Sequence, residues 1–146
     1  GDSIGGLVEV RVENVMAGLG NPVFGKLEAQ LAGAMMSIPA TKYFEMGEGI
    51  EICQQKGSEA NDKFIITKNS ENSRDFEESE LKNSNLVNSG KIVSERNVNG
   101  GILGGISTGN DLYFRVGIKP TSSISISQQS VNKKGEVVDL QVFGRH

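Results

Sequence analysis

The sequence predicts an α+β fold in which an antiparallel sheet packs on a helix. The order of the hydrophobic patterns is the first observation: one alternating segment, then one helical repeat, then mostly alternating segments. The second is size and composition, because 146 residues with 36% hydrophobic and 23% charged side chains are enough for one domain core. Strands that surround a single long helix in this way are typical of a helix laid on one face of a sheet.

Charge and composition exclude several classes of function. A net charge of −3 offers nucleic acids or anionic membranes no attraction from the protein as a whole. No segment approaches the ~20 consecutive apolar residues of a membrane span. The chain has one cysteine, Cys53, which excludes a disulfide scaffold. With only one histidine in addition, a zinc site made of cysteine and histidine would lack ligands. The sequence therefore predicts no metal and reducing, cytoplasmic surroundings.

The first two elements have clear signals. Residues 7–15 alternate, with the valines at 8, 10 and 12 on one face, which predicts a half-buried strand. Asn21-Pro22 is typical of a helix N-cap followed by proline at the first helical position. The helix should end at about Met36 or Ser37, before Pro39. Its apolar positions are Phe24, Leu27, Leu31, Ala34, Met35 and Ile38.

The rest of the chain alternates in short stretches. Strands are predicted at residues 43–46, 64–68, 91–96, 112–118, 124–126 and 138–142, with a turn or short helix at 51–56 and a turn at Lys134-Gly135. Residues 69–90 have five acidic and two basic side chains, so this segment carries the whole net charge. Its Asn- and Ser-rich composition predicts a flexible surface insertion, in the position of a long hairpin loop between two strands.

Three segments could carry chemistry. The glycine pairs of NVNGGILGG (97–105) allow either close approach of a planar or anionic ligand or a pair of tight turns. KPTSS (119–123) follows an apolar strand and could be a phosphate cradle or a polar turn. GSEAND (57–62) could hold a helix cap, an Asx turn or a site. Near the chain end, Arg145 could clamp an anion and His146 could transfer protons, unless both belong to a frayed end.

Six segments taken together resemble the chorismate synthase family. The resemblance covers nearly the whole chain apart from the insertion at about 69–90. The segments that carry it are GDSIGG (1–6), GLGNPVFGKLEAQLAGAMMSIPA (18–40), GSEAND (57–62), NVNGGILGGIS (97–107), FRVGIKPTSSI (114–124) and GRH (144–146).

The resemblance implies a lyase of the shikimate pathway and of aromatic amino-acid biosynthesis. Its members convert 5-enolpyruvylshikimate 3-phosphate to chorismate by a 1,4-anti elimination of phosphate. They need reduced FMN, which NADPH regenerates if the enzyme is bifunctional. The family fold is a β-α-β sandwich, and the enzyme is a cytoplasmic homotetramer without nucleic-acid or membrane partners.

The resemblance also implies a set of cofactor-binding residues. The flavin loop corresponds to Lys119, Pro120, Thr121, Ser122 and Ser123. Gly104 matches the glycine that lies against the flavin, and Pro39 and Ala40 sit where the family contacts the flavin after its long helix. Arg145 matches an arginine that serves both flavin and substrate.

The catalytic residues of the family are expected outside these 146 residues. Its Gly-Glu-Ser-His-Gly motif, a second histidine, several substrate-binding arginines and a late aspartate have no counterpart here, so no catalytic residue is assigned. Both chain ends look cut, which favours a partial domain over residues 1–146 from the second half of the enzyme, inactive by itself. The alternatives are a non-catalytic module that binds flavin or another anion, and a purely structural or interaction domain.

Overall fold

The computed structural model describes residues 1–67 and 91–144. Along these residues the elements are β1 (Gly6–Val12), α1 (Leu27–Met36), β2 (Thr41–Met46), a 3-10 helix (Gly49–Gln54), α2 (Gly57–Ala60), β3 (Phe64–Thr67), β4 (Lys91–Ser94), β5 (Ile102–Leu103), β6 (Ile106–Ser107), β7 (Leu112–Ile118), β8 (Gln128–Val131) and β9 (Val137–Leu140). The predicted insertion at 69–90 lies outside the described residues, as do Arg145 and His146.

A three-stranded antiparallel sheet forms the centre, with β7 between β1 and β2. Val10 of β1 and Met46 of β2 both stand opposite Phe114. Directly opposed residues share a face of the sheet, so the apolar positions of all three strands lie together. Phe114 and Val116 are 4% and 5% exposed, and α1 packs beside β2. The predicted α+β class, a sheet on a helix, is confirmed.

The first strand forms where it was predicted but is less buried than its alternation suggested. Its valines share the apolar face through their register with β7. Val8 and Val12 are nevertheless 47% and 41% exposed. The helix packs on the β2 side of the sheet, so the described residues leave the β1 side of this face largely uncovered.

The predicted start of the helix is wrong, whereas its predicted end is confirmed. Asn21 does not cap a helix, because its N–H and C=O pair with the C=O and N–H of Gly25 at 2.8 and 2.9 Å. These bonds close a tight loop that delays the helix to Leu27. Lys26 precedes it and provides no side-chain cap. The helix ends at Met36, before Pro39.

Two further hairpins follow the predicted order. β3 and β4 pair antiparallel, with Phe64 opposite Ser94 and Thr67 opposite Lys91, so the predicted pairing across the insertion is confirmed. β8 and β9 pair around the predicted turn, where Gly135 N–H donates to Asn132 C=O at 3.0 Å. The strand predicted at 124–126 is wrong, because β8 begins at Gln128. Among the described residues no helix is long and apolar enough to cross a membrane.

Candidate functional site

The two glycine pairs are tight turns, as one of the two interpretations of NVNGGILGG predicted. Gly100 and Gly101 lead into β5, and Gly104 and Gly105 join β5 to β6. All four have positive φ, with +62° at Gly104 and +92° at Gly105. A two-residue hairpin loop with positive φ at both positions strongly favours glycine. The second pair therefore forms the tip of a small hairpin.

The surroundings of Gly104 differ from those of the first pair, whereas a Cβ on Gly105 would stand 2.8 Å from the Lys26 side chain. A Cβ on Gly100 would stand 2.4 Å from the Tyr113 carbonyl oxygen and 2.5 Å from the Gly47 nitrogen. A Cβ on Gly101 would stand 2.5 Å from the Asp111 carbonyl oxygen. Gly104 is exposed, and nothing lies within 4 Å of its Cβ position. The first pair thus allows backbones to pack closely, and Gly104 presents open backbone.

The β5–β6 hairpin is hydrogen-bonded to the N-terminus of α1. The Leu27 N–H donates to the Gly105 carbonyl oxygen at 2.9 Å. On the β6 side, Ser107 is 2% exposed, and its hydroxyl donates to the Met16 carbonyl oxygen at 2.6 Å. The Ser107 N–H donates to the Leu19 carbonyl oxygen at 2.9 Å. These bonds hold Gly105 and the β6 side of the hairpin, so that Gly105 is buried and Gly104 is the exposed residue of the tip.

The sheet brings the 119–123 loop beside Pro39 and Ala40. The start of β2 and the end of β7 meet, because the strands are antiparallel neighbours and Thr41 stands opposite Ile118. One residue further, the Lys119 N–H donates to the Ala40 carbonyl oxygen at 2.9 Å. Ala40 has φ +69°, a conformation that costs a non-glycine residue about 1–2 kcal/mol. Such strain is found preferentially at functional sites.

The 119–123 loop has the groups that an anion needs. Among the described residues, Lys119 forms no ion pair, and the N–H groups of residues 121–123 donate to no other group. Thr121 and Ser122 are exposed. The Thr121 carbonyl oxygen accepts the Ser3 hydroxyl at 2.5 Å, which ties the loop to the first residues of the chain. A lysine, three hydroxyls and unpaired N–H groups fit a phosphate such as that of FMN.

Residues 142–144 lie along the same loop. The Val142 N–H donates to the Ile124 carbonyl oxygen at 3.1 Å. Ser123 and Gly144 line one cleft of about 60 Å³, together with Gly1, Ser3 and other neighbours. Arg145 follows Gly144 directly and lies outside the described residues, so its role stays a prediction.

Gly104 is separate from the other predicted cofactor residues. The hairpin contacts the first turn of α1, whereas Pro39 and Ala40 follow the last turn. A helix of ten residues is about 15 Å long. The described residues therefore place the predicted site in two groups at opposite ends of α1.

Asp62 has a defined structural role that the sequence left open. Its Oδ1 accepts the Arg96 N–H at 2.9 Å, and its Oδ2 accepts the Val98 N–H at 3.2 Å. Desolvation opposes ionisation of this carboxyl group, but N–H donors from Arg96, Val98 and Asn97 outweigh it and lower the pKa of Asp62. GSEAND thus contributes a short helix and a carboxylate that binds the segment before the first glycine pair.

A cavity of about 190 Å³ is lined by none of the predicted cofactor residues, although three of its lining residues belong to NVNGGILGG. In it, Glu28 has a buried Oε2 without a hydrogen-bond partner among the described residues. Within the same residues no cluster of His, Cys, Asp and Glu could hold a metal ion. The lining residues are Glu28, Met46, Ile52, Val98, Asn99 and Ile102.

Curated relatives match the chain along its whole length. It is 46% identical over 145 residues to a chorismate synthase of Lachnoclostridium phytofermentans, covering 99% of this chain and 34% of that protein. It is also 46% identical to chorismate synthases of Methanosarcina mazei and Archaeoglobus fulgidus, covering all of this chain and 34% and 35% of theirs. The chain spans about a third of the length of these relatives.

A solved structure points to the same family as the sequence relatives. A crystal structure of a chorismate synthase superposes with a TM-score of 0.64 at 30% identity, covering 84% of this chain and 31% of that one. The sequence model of the chorismate synthase family matches residues 1–146, the entire chain. This chain therefore belongs to the chorismate synthase family.

Proposed function

We propose that the chain forms one wall of the flavin site of a longer chorismate synthase. That enzyme converts 5-enolpyruvylshikimate 3-phosphate to chorismate with loss of phosphate and requires reduced FMN. The hydrogen bond from Lys119 N–H to Ala40 C=O carries the proposal, because it joins two segments that family resemblance independently assigns to the flavin. The match to the family along the whole chain supports the same conclusion.

In this proposal the 119–123 loop binds the phosphate of FMN. Lys119 contributes a positive charge, and Thr121, Ser122 and Ser123 contribute hydroxyls and N–H donors. Arg145, which follows the cleft residue Gly144 in the sequence, would add a bidentate donor for flavin and substrate. Reduced FMN, when bound, would supply electron density to the substrate while the substrate's carbon–oxygen bond to its phosphate breaks.

Gly104 has a different role in this proposal. Its open, exposed backbone would let the flat face of the flavin approach closely. Because Gly104 and the 119–123 loop lie at opposite ends of α1, they suit the two ends of an elongated cofactor, ring and phosphate. Pro39 and Ala40 would contact the cofactor beside the loop.

The remaining parts of the activity belong to the longer enzyme. We assign the catalytic histidines and the other substrate-binding arginines to segments outside these 146 residues. A cytoplasmic homotetramer, with NADPH as the reductant if the enzyme is bifunctional, is part of the same proposal. A free-standing module that binds flavin or another anion is not favoured, because the match to the enzyme family runs along the whole chain.

Titration of FMN into Lys119→Ala in the full-length enzyme tests the proposal. Charge-assisted hydrogen bonds contribute about 1.5–3 kcal/mol, so the affinity should fall roughly tenfold to a hundredfold. Lys133→Ala is the matched control, because Lys133 is an exposed lysine in the β8–β9 turn. Equal FMN affinity of the Lys119 variant and the control would remove Lys119 from the site.

A further inference from the structure

We propose that Asp62 is a positioning residue for the hairpin that carries Gly104. The proposal rests on the proposed function, since it concerns the affinity of the same flavin site. The two oxygens of Asp62 accept the N–H groups of Arg96 and Val98 at 2.9 and 3.2 Å. One carboxylate thus holds two alternate residues of the segment that leads to the first glycine pair.

The backbone that Asp62 binds, residues 96–98, is also held by other contacts. Val98 is 1% exposed, and its carbonyl oxygen accepts the Glu48 N–H at 2.8 Å. Asn97 has φ +55°, and its side-chain amide donates to the Asp111 carbonyl oxygen at 2.9 Å. A displacement of the backbone at 96–98 therefore cannot be absorbed locally.

The displacement would instead pass into the hairpin. Gly100 lies between the backbones of Gly47 and Tyr113, where a Cβ would already clash. Gly101 accepts the Thr108 N–H at 2.9 Å, which couples the entry of the hairpin to its exit. Gly104 follows only three residues later, at the exposed tip. Asp62 is thus connected to Gly104 through a short run of fixed backbone, and its two oxygens are used by backbone N–H groups.

Asparagine cannot replace aspartate in this role. The structure uses both carboxylate oxygens as acceptors, whereas an amide has one oxygen and an NH₂ group that would face an N–H donor. Asp62→Asn is nearly the same size, so it removes one acceptor and the charge without opening a cavity. Asp62→Glu retains both acceptors but displaces them by one methylene.

The test uses the full-length enzyme with two readouts: FMN affinity and amide hydrogen exchange along residues 96–105. For Asp62→Asn we expect FMN affinity to fall roughly threefold to tenfold, within the range that indirect contacts produce. Exchange should accelerate at 96–105 while other regions stay protected, whereas loss of overall stability would accelerate exchange everywhere. Asp62→Glu should fall between Asp62→Asn and wild type.

Two controls isolate the position. Lys63→Ala breaks the neighbouring exposed ion pair with Glu95, 3.1 Å long, and Asp139→Asn makes the same chemical change on exposed β9. Both should retain wild-type FMN affinity and wild-type hydrogen exchange.

Wild-type exchange at 96–105 in Asp62→Asn, or in Asp62→Glu if the asparagine variant does not fold, would overturn the proposal. Wild-type FMN affinity with faster local exchange would also overturn it. If the wild-type enzyme fails to bind FMN, the proposed function fails, and the exchange readout still decides whether Asp62 holds the hairpin.

Discussion

Alanine at Gly100 and alanine at Gly104 should have different consequences, the first mainly for stability and the second mainly for FMN binding, although the two glycines lie in the same motif. Both have positive φ, at +64° and +62°. At Gly100 a Cβ would stand 2.4 Å from one backbone atom and 2.5 Å from another, and neither can rotate away. At Gly104 nothing lies within 4 Å. The two substitutions therefore share a backbone strain and differ in packing.

The magnitudes follow from these two contributions. A left-handed conformation costs a non-glycine residue about 1–2 kcal/mol, so this strain applies to both variants. Forcing an additional methyl group into packed surroundings costs about 1–3 kcal/mol more, and this applies only to Gly100→Ala. We expect a loss in the free energy of unfolding of about 2–5 kcal/mol at Gly100 and about 1–2 kcal/mol at Gly104.

Urea denaturation of the full-length enzyme measures both losses, and an FMN titration separates structure from binding. Gly104→Ala should remain folded and bind FMN more weakly, because its new methyl group occupies the surface that we assign to the flavin. Gly100→Ala should lose stability first. Equal stability losses in the two variants would refute the packing argument for the first glycine pair. Unchanged FMN affinity in Gly104→Ala would refute the placement of the flavin at the hairpin tip.

Three further outcomes are expected. Arg145→Lys should leave the full-length enzyme folded with most of its turnover lost, since a lysine cannot reproduce a bidentate contact; wild-type kinetics would make this arginine a bystander. Replacing residues 69–90 with a short glycine-containing turn should leave FMN affinity and activity nearly unchanged, because β3 and β4 pair in register up to Thr67 and Lys91; a large loss of either would place the segment in functional contacts. The isolated chain should release no phosphate from 5-enolpyruvylshikimate 3-phosphate with reduced FMN under anaerobic conditions, because catalysis requires groups held together; turnover above background would place catalytic groups within it.

Local patterns in the sequence were sufficient for most of the elements. The alternation of residues 112–118 predicted β7, and the helical repeat before Pro39 predicted where α1 ends. Family resemblance added the candidate cofactor residues, which periodicity alone would not have selected. The start of α1 was mispredicted, because the Asn21-Pro22 signal was outweighed by the paired bonds between Asn21 and Gly25.

Tertiary structure decided what those residues face. Antiparallel pairing of β2 with β7 brings Ala40 to Lys119, although the two are far apart in the chain. Gly100 and Gly104 are alike in the sequence, but only Gly100 has another backbone against it. The role of Asp62 depends on tertiary contacts, because its two oxygens accept hydrogen bonds from the N–H groups of Arg96 and Val98. Periodicity shows which face of an element is apolar. Which distant residue an exposed or buried group contacts depends on how segments far apart in the chain pack together, and a local sequence pattern does not encode this.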